Sequence, residues 1–122
     1  MNYFFDTYAM VEFIGGNEIY INLFKEEGIT TRLNLMELYY QILKRLGKKI
    51  AKRVYSRFLS HAVEFDDNTV MESMEFRLRM RKKGKKFSYV DTIGYIVAKR
   101  AGVEFLTGDE EFKGLPNVKF VK

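Results

Sequence analysis

Apolar positions along this chain change their spacing several times, and each change predicts an element. Tyr3-Phe4-Phe5 is a short apolar run that stops at Asp6, after which Ala9, Met10, Phe13 and Ile14 recur at helical spacing until Gly15-Gly16 ends the pattern. That predicts a strand followed by a helix. Asn17 is placed to cap a second short helix through Ile19, Tyr20, Leu23 and Phe24 that terminates at Gly28, and residues 29–31 then form a brief strand. From Leu35, the positions Leu35, Tyr39, Ile42, Leu43 and Leu46 trace one helical face closed by Gly47, and residues 48–60 continue as a basic amphipathic helix. Residues 62–65 are a candidate strand. Asp66 or Asp67 starts a long helix whose apolar side runs through Val70, Met74, Phe76 and Leu78 and ends in a cationic stretch over 79–86, with Gly84 as a stop. Ser88 opens the next helix, through Ile93, Ile96 and Val97 to Gly102. Residues 103–107 are then a strand, 110–112 a single turn, and 118–121 a closing strand beyond Pro116.

Strands separated by helical segments predict a mostly parallel central sheet covered on both faces, a three-layer α/β/α sandwich. No repeat or linker interrupts the chain, and 122 residues suit one compact domain over 1–122. Apolar residues make up 47% and Phe and Tyr together 16%, so the core is expected to rest on rings with Ile, Leu, Val and Met. Cysteine is absent, which excludes disulfides, thiolate zinc sites and a Cys nucleophile. No apolar run approaches the ~20 residues of a membrane span, and the stretch starting Met1-Asn2-Tyr3 lacks the basic start of a signal peptide, so a cytoplasmic protein is expected.

The formal charge of +5 favours a polyanionic partner. Its distribution says more: seven of the 21 basic residues fall between Lys44 and Arg57 and seven more between Arg77 and Lys86, either as solvated helix faces or as nucleic-acid contacts.

The acids carry the candidate chemistry. Sites in an open parallel sheet form outside the carboxyl ends of its strands. Asp6 directly follows the first predicted strand, Glu37 lies just inside the helix after the second, and Asp109 comes two residues after the strand ending at Thr107. Asp91 follows no strand; only its position at a helix start hints at the same edge. Each acid taken singly also fits helix capping, since Asn34-x-x-Glu37 and Ser88-x-x-Asp91 have capping-box spacing. Four carboxylates converging on one pocket would repel one another, an arrangement tolerable mainly around a divalent cation. Mg²⁺ and Mn²⁺ suit such oxygen donors, and no Cys or His cluster suggests zinc.

The chain resembles the PIN domains, and among them the small VapC-type toxins of toxin–antitoxin pairs. Tyr3-Phe4-Phe5-Asp6-Thr7 is similar to the family's first motif and Asn34-Leu35-Met36-Glu37-Leu38 to its second. Asp91-Thr92-Ile93, Ala98, Gly102, Leu106-Thr107-Gly108-Asp109 and Glu111-Phe112 follow in family-like order. The resemblance implies that Asp6, Glu37, Asp91 and Asp109 hold Mg or Mn, with Thr7 and Thr107 in support, Thr107 orienting a carboxylate, and Glu111 as an outer participant. It also implies an RNA substrate cut to 5′-phosphate and 3′-hydroxyl ends, a homodimer, and a cognate antitoxin. One departure is Tyr8, where the family usually places a small polar residue, and this narrows or reshapes the expected site.

On that reading, Lys48, Lys49, Lys52 and Arg53, with Arg81, Lys82, Lys83, Lys85 and Lys86, would hold the RNA backbone. Tyr39, Tyr40 and Tyr89 are candidates for base stacking against the alternative of core packing, and Phe13, Tyr20 and Phe24 mark candidate contact surfaces for a partner. His61 receives no catalytic role. The competing reading is a non-catalytic RNA-binding or assembly module that keeps the fold. A phosphoacceptor receiver is disfavoured because Asp6 stands alone and Gly108 follows Thr107, and dinucleotide binding because no Gly-x-Gly-x-x-Gly follows the first strand.

Overall fold

A computed structural model describes residues 2–122; Met1, the first residue of the stretch read for a targeting signal, lies outside the described residues. In chain order the elements are β1 (Tyr3–Phe5), α1 (Thr7–Ile14), α2 (Glu18–Leu23), β2 (Gly28–Ile29), α3 (Arg32–Leu46), α4 (Lys48–Leu59), α5 (Asp67–Lys82), α6 (Tyr89–Ala101), β3 (Glu104–Thr107), a 3-10 turn (Glu110–Phe112) and β4 (Val118–Phe120). The strands lie in the order β2-β1-β3-β4, and every pairing is parallel.

Strand alternation divides the core in two. Tyr3 and Phe5 of β1 and Leu106 of β3 face one side, where they pack with Ala9 and Met10 of α1, Tyr20 of α2, Leu35 of α3 and Val54 of α4. Phe4 and Phe105 face the other side and pack with Ile93 and Ile96 of α6, with Met74 and Phe76 of α5 behind them. Among the described residues, four helices above the sheet and two below give the expected three-layer α/β/α sandwich. The rings of Phe4 and Phe105, both fully buried, stack 5.5 Å apart, and each such side chain contributes about 1.5–3 kcal/mol by leaving water.

Gly94 lets α6 lie directly on these two rings, since a Cβ there would stand 2.9 Å from Phe4 Cε1 and 3.2 Å from Phe105 Cε1. Gly102 then ends α6 in the left-handed conformation at φ 73°, and its amide bonds back into the helix before the chain enters β3. The helix therefore runs opposite to β3, which places its first turn at that strand's carboxyl end.

Four predicted features differ. Residues 62–65 form no strand: Ala62 makes a single parallel bridge with Thr30, through hydrogen bonds from Thr30 N to His61 O and from Val63 N to Thr30 O, before the chain leaves for the cap of α5 at Asp66. Helix α3 begins earlier than Leu35, because Thr31 rather than Asn34 is its cap. On α5, Leu78 and Val70 of the predicted apolar side are exposed, whereas Thr69 and Ser73 are buried. Phe13, Tyr20 and Phe24 are not free contact surfaces either. Tyr20 is fully buried, and the half-buried Phe24 stacks on Phe5 at 3.8 Å and on the half-buried Phe13 at 4.6 Å, so all three pack into or against the core, while Ile19 and Ile21 of α2 are exposed. Among the described residues no helix is long and apolar enough to cross a membrane.

Candidate active site

From β1 the chain passes to β2 on one side of the sheet, and from β3 it passes to β4 on the other. A crevice opens outside the carboxyl ends of strands that diverge in this way. Asp6 leaves β1 directly into the crevice, and Asp109 follows β3 by two residues. Helix α3 starts where β2 ends and brings Glu37 in its second turn, while the first turn of α6 brings Asp91. All four carboxylates line one cavity of about 880 Å³, with Thr7 beside them.

Each acid is also tied locally. Asp6, 2% exposed, caps α1 by accepting from Ala9 N at 2.7 Å, and the Thr107 hydroxyl bonds the same carboxyl. Thr107 Oγ1 in turn accepts from Asp109 N at 3.0 Å, and Asp109 Oδ1 accepts from Glu111 N at 3.0 Å. Ser88 caps α6 by accepting from Asp91 N at 3.0 Å. Glu37 is not part of a capping box: its Oε1 accepts from Thr7 Oγ1 at 2.7 Å, across from α1. The capping and clustering accounts thus hold together for Asp6 and Asp109, because a helix start and a sheet's carboxyl edge are the same place.

Burial and crowding act on the proton affinities. Burial, the largest influence, holds the Asp6 carboxyl well above its usual range; bonds from Thr107 and Ala9 oppose it, and the charges of Asp91 and Asp109 add to it. Asp91 is pushed up to about 6, chiefly by burial and then by Glu37 and Asp109, against the hydroxyl of Ser88. The charges of Glu37, Asp91 and Asp109 thus act on the buried carboxyls of Asp6 and Asp91.

Their chemistry fits a hard divalent cation, whose charge would offset both the burial and the repulsion. Their side chains are not drawn together around one: among the described residues no three Asp, Glu or His groups are gathered closely enough to hold a metal ion. Glu37 and Asp109 are instead turned to Thr7 and to the Glu111 amide.

The other expected site residues take different places. Thr107 is buried behind Asp6, and the Glu111 carboxylate lies 4.0 Å from Lys85 rather than in the cavity wall, so its contribution to Asp109 comes through its backbone amide. Lys48, Lys49, Lys52, Arg53, Arg81, Lys82, Lys83, Lys85 and Lys86 do not line the cavity; Lys44, Arg45 and Lys122 do. Lys52 borders a separate cleft with Met36, Tyr39 and Tyr55. Tyr39 is half-buried edge-on to Tyr55. Tyr40 and Tyr89 are both 61% exposed, the first in the cavity wall under Lys44 and the second under Arg77. Two further acids went unnoticed in the sequence, Glu12 and Glu110, and the latter pairs with Lys122 at 3.3 Å. Tyr8 stands in the wall, its ring packed against Gly108, so the cavity is shaped by it and remains open. His61 Nδ1 lies 2.8 Å from Gly28 O, a bond within the fold away from the acids.

The sequence profile of the PIN domain matches residues 3–118. The chain belongs to the PIN domain family. Solved structures with this PIN fold include VapBC2 from Rickettsia felis bound to a DNA fragment from its promoter, with a TM-score of 0.78 and 22% identity, covering 99% of this chain and 98% of that one. Mycobacterium tuberculosis VapC20, a Sarcin-Ricin loop cleaving toxin, superposes with a TM-score of 0.76 at 18% identity over 98% of this chain and 99% of that one. DNA-bound VapBC from Salmonella typhimurium gives 0.76 at 20% identity, over 99% and 97%. At these identities the likeness concerns the fold. None of the curated proteins matches this PIN domain.

Proposed function

We propose that the protein is a Mg- or Mn-dependent endoribonuclease that hydrolyses RNA phosphodiester bonds, acting as the VapC-like toxin of a toxin–antitoxin pair. The observation that supports this reading is the lining of one cavity, at the diverging carboxyl edge of a PIN-family sheet, by Asp6, Glu37, Asp91 and Asp109. In this reading residues 1–122 act as one domain.

Asp6, Glu37, Asp91 and Asp109 would hold the cation. When bound there, a divalent ion supplies charge neutralisation at a phosphodiester and lowers the pKa of water for in-line attack. Thr107 fixes Asp6 and the Asp109 amide, Thr7 holds Glu37, and the Glu111 amide holds Asp109. Lys44, Arg45 and Lys122 at the cavity mouth meet the backbone phosphates, with the cations at 48–53 and 81–86 as outer contacts, and Tyr40 offers a face for a base. Several structures of this fold are toxin–antitoxin complexes, which supports a cognate antitoxin as partner; homodimerisation and a cytoplasmic location complete the reading.

The absence of a closed metal cage among the described residues favours a second reading, a PIN domain that binds RNA without cutting it. Single-stranded and structured RNA incubated with the purified protein in Mg²⁺, Mn²⁺ or EDTA separates the two. Metal-dependent cleavage lost in Asp6→Asn and Asp91→Asn is the expected result. Retention of RNA without cleavage in every metal favours the binding module, and cleavage that survives EDTA and both substitutions overturns the assignment of the site.

A further inference from the structure

Glu37 is reached from the interior by a directed series of hydrogen bonds. Thr31 Oγ1 donates to Asn34 Oδ1 at 2.7 Å, Asn34 Nδ2 donates to Thr7 Oγ1 at 3.2 Å, and Thr7 Oγ1 donates to Glu37 Oε1 at 2.7 Å. Thr31 and Asn34 are fully buried and Thr7 nearly so. The direction follows from the groups themselves. An ionised carboxylate only accepts, so the single Thr7 proton goes to Glu37 and the Thr7 oxygen is left to accept. The Asn34 amide nitrogen only donates, so it faces Thr7 while its oxygen faces the Thr31 hydroxyl.

Helix α3 does not need this arrangement. Its start is served by Thr31 Oγ1 accepting from Asn34 N at 3.3 Å, a bond that any first-turn residue with an amide hydrogen would make. A buried asparagine side chain in that first turn is costly unless each of its polar atoms is paired, and among the described residues no buried side-chain nitrogen or oxygen lacks a partner. The series also joins two helices that reach the cavity, running from the buried start of α3 through the start of α1 to the second turn of α3.

We propose that Asn34, set by Thr31, is a positioning residue for Glu37. By keeping the Thr7 hydroxyl proton committed to Glu37 Oε1, it holds that carboxylate in one orientation at the cavity wall. Asn34 acts only through Thr7 and touches no substrate. Its catalytic consequence rests on the metal-dependent nuclease reading above; its effect on Glu37 does not.

A double-mutant cycle with Asn34→Ala and Glu37→Ala tests this, with Mn²⁺ affinity read from the spin-resonance signal of free Mn²⁺ and RNA cleavage read as kcat. Outer partners of metal-holding groups are worth about 10- to 100-fold in affinity or activity, so Asn34→Ala is expected to weaken both by that order. In the Glu37→Ala background it is expected to change neither. An equal loss in both backgrounds means a general structural role and overturns the proposal. If Asn34→Ala does not fold, Asn34→Asp, which keeps the shape and the acceptor for Thr31 but loses the amide donor to Thr7, takes its place in the same cycle; no loss, or an equal loss in both backgrounds, overturns the proposal. Should the unsubstituted protein neither bind Mn²⁺ nor cut RNA, the nuclease reading fails, and crystal structures still decide the positioning. A Glu37 side chain in a new rotamer in the variant supports it, and an unmoved Glu37 refutes it.

Discussion

Replacing Asp91 by asparagine removes a charge that the fold confines at a cost. A carboxyl held at about 6 rather than 3.8 is unfavourable when ionised, and at about 1.4 kcal/mol per tenfold change in proton affinity the penalty is about 3 kcal/mol. The sign follows from proton counts. Below the ordinary carboxyl range, both folded and unfolded chains carry the proton and no penalty exists. Between 3.8 and about 6 the folded protein binds the extra proton, so this group lowers stability as pH rises, and the full penalty is present above 6. Asp91→Asn is therefore expected to stabilise the metal-free protein by about 3 kcal/mol at mildly alkaline pH, a rise in Tm on the order of 10 °C for a domain of this size, and to change little in acid. Calorimetry of both proteins in EDTA at the two pH values measures the difference directly. Saturating Mn²⁺ should raise the Tm of the unsubstituted protein and move the variant much less, because the stabilisation by a ligand requires its site. An unchanged or lower Tm in the alkaline arm, or a gain of equal size in acid, would refute the confinement of Asp91. A gain in stability coupled to a loss of cleavage is the trade expected of a functional site.

Three other outcomes follow from the packing and the charges. In Gly108→Ala the added Cβ overlaps the Tyr8 ring and stands 2.7 Å from Val121 O, so denaturant unfolding should show a loss of about 1–3 kcal/mol from overpacking. Phe24→Ala removes a ring stacked between Phe5 and Phe13 and is expected to cost about 3 kcal/mol; a variant of unchanged stability with altered oligomeric state would return that face to a docking role. Lys44→Gln with Arg45→Gln should weaken RNA binding and flatten its dependence on log salt by about 0.7 for each phosphate no longer neutralised, measured by fluorescence anisotropy. Substituting Arg81, Lys82 and Lys83 should do much less, and the reverse ranking would place the RNA on the other basic stretch.

Most of this architecture could be read from spacing alone, and the exceptions have identifiable causes. An apolar run stopped by an acid and a glycine closing each apolar face located β1, α1, α3 and α6 to within a few residues. The start of α3 was misplaced because Thr31 reads as the end of a strand and Asn34 as a cap; Thr31 caps the helix, and the Asn34 side chain turns inside, bridging Thr31 and Thr7. Residues 62–65 have strand composition, but their neighbour β2 is two residues long and offers no ladder to extend. Periodicity on α2 shows an apolar face without saying which side meets the core, and the helix turns Tyr20 inward while leaving Ile19 and Ile21 exposed.

Within the site, Asp6 and Asp109 were legible from strand ends. Asp91 was placed by resemblance, although the topology contains the reason: a helix that turns through Gly102 straight into β3 must begin at that strand's carboxyl edge. Clusters of lysine and arginine showed where cations are dense, not which of them reach the crevice. Lys44 and Arg45 lie at the end of α3 that passes it, and Lys122 arrives only because β4 pairs beside β3. Glu12 carried no signal beyond its position on α1 two turns from Asp6.

The proposed activity depends on four separately anchored carboxylates holding divalent cation in one cavity. Crystals soaked in Mn²⁺ and measured near its absorption edge give an anomalous map that locates the ion without reference to activity. The expected result is a peak inside the cavity with oxygens of Asp6, Asp91 and at least one of Glu37 and Asp109 around it. A peak elsewhere, or none at saturating Mn²⁺ with each carboxylate still bound to its own local partner, would contradict it.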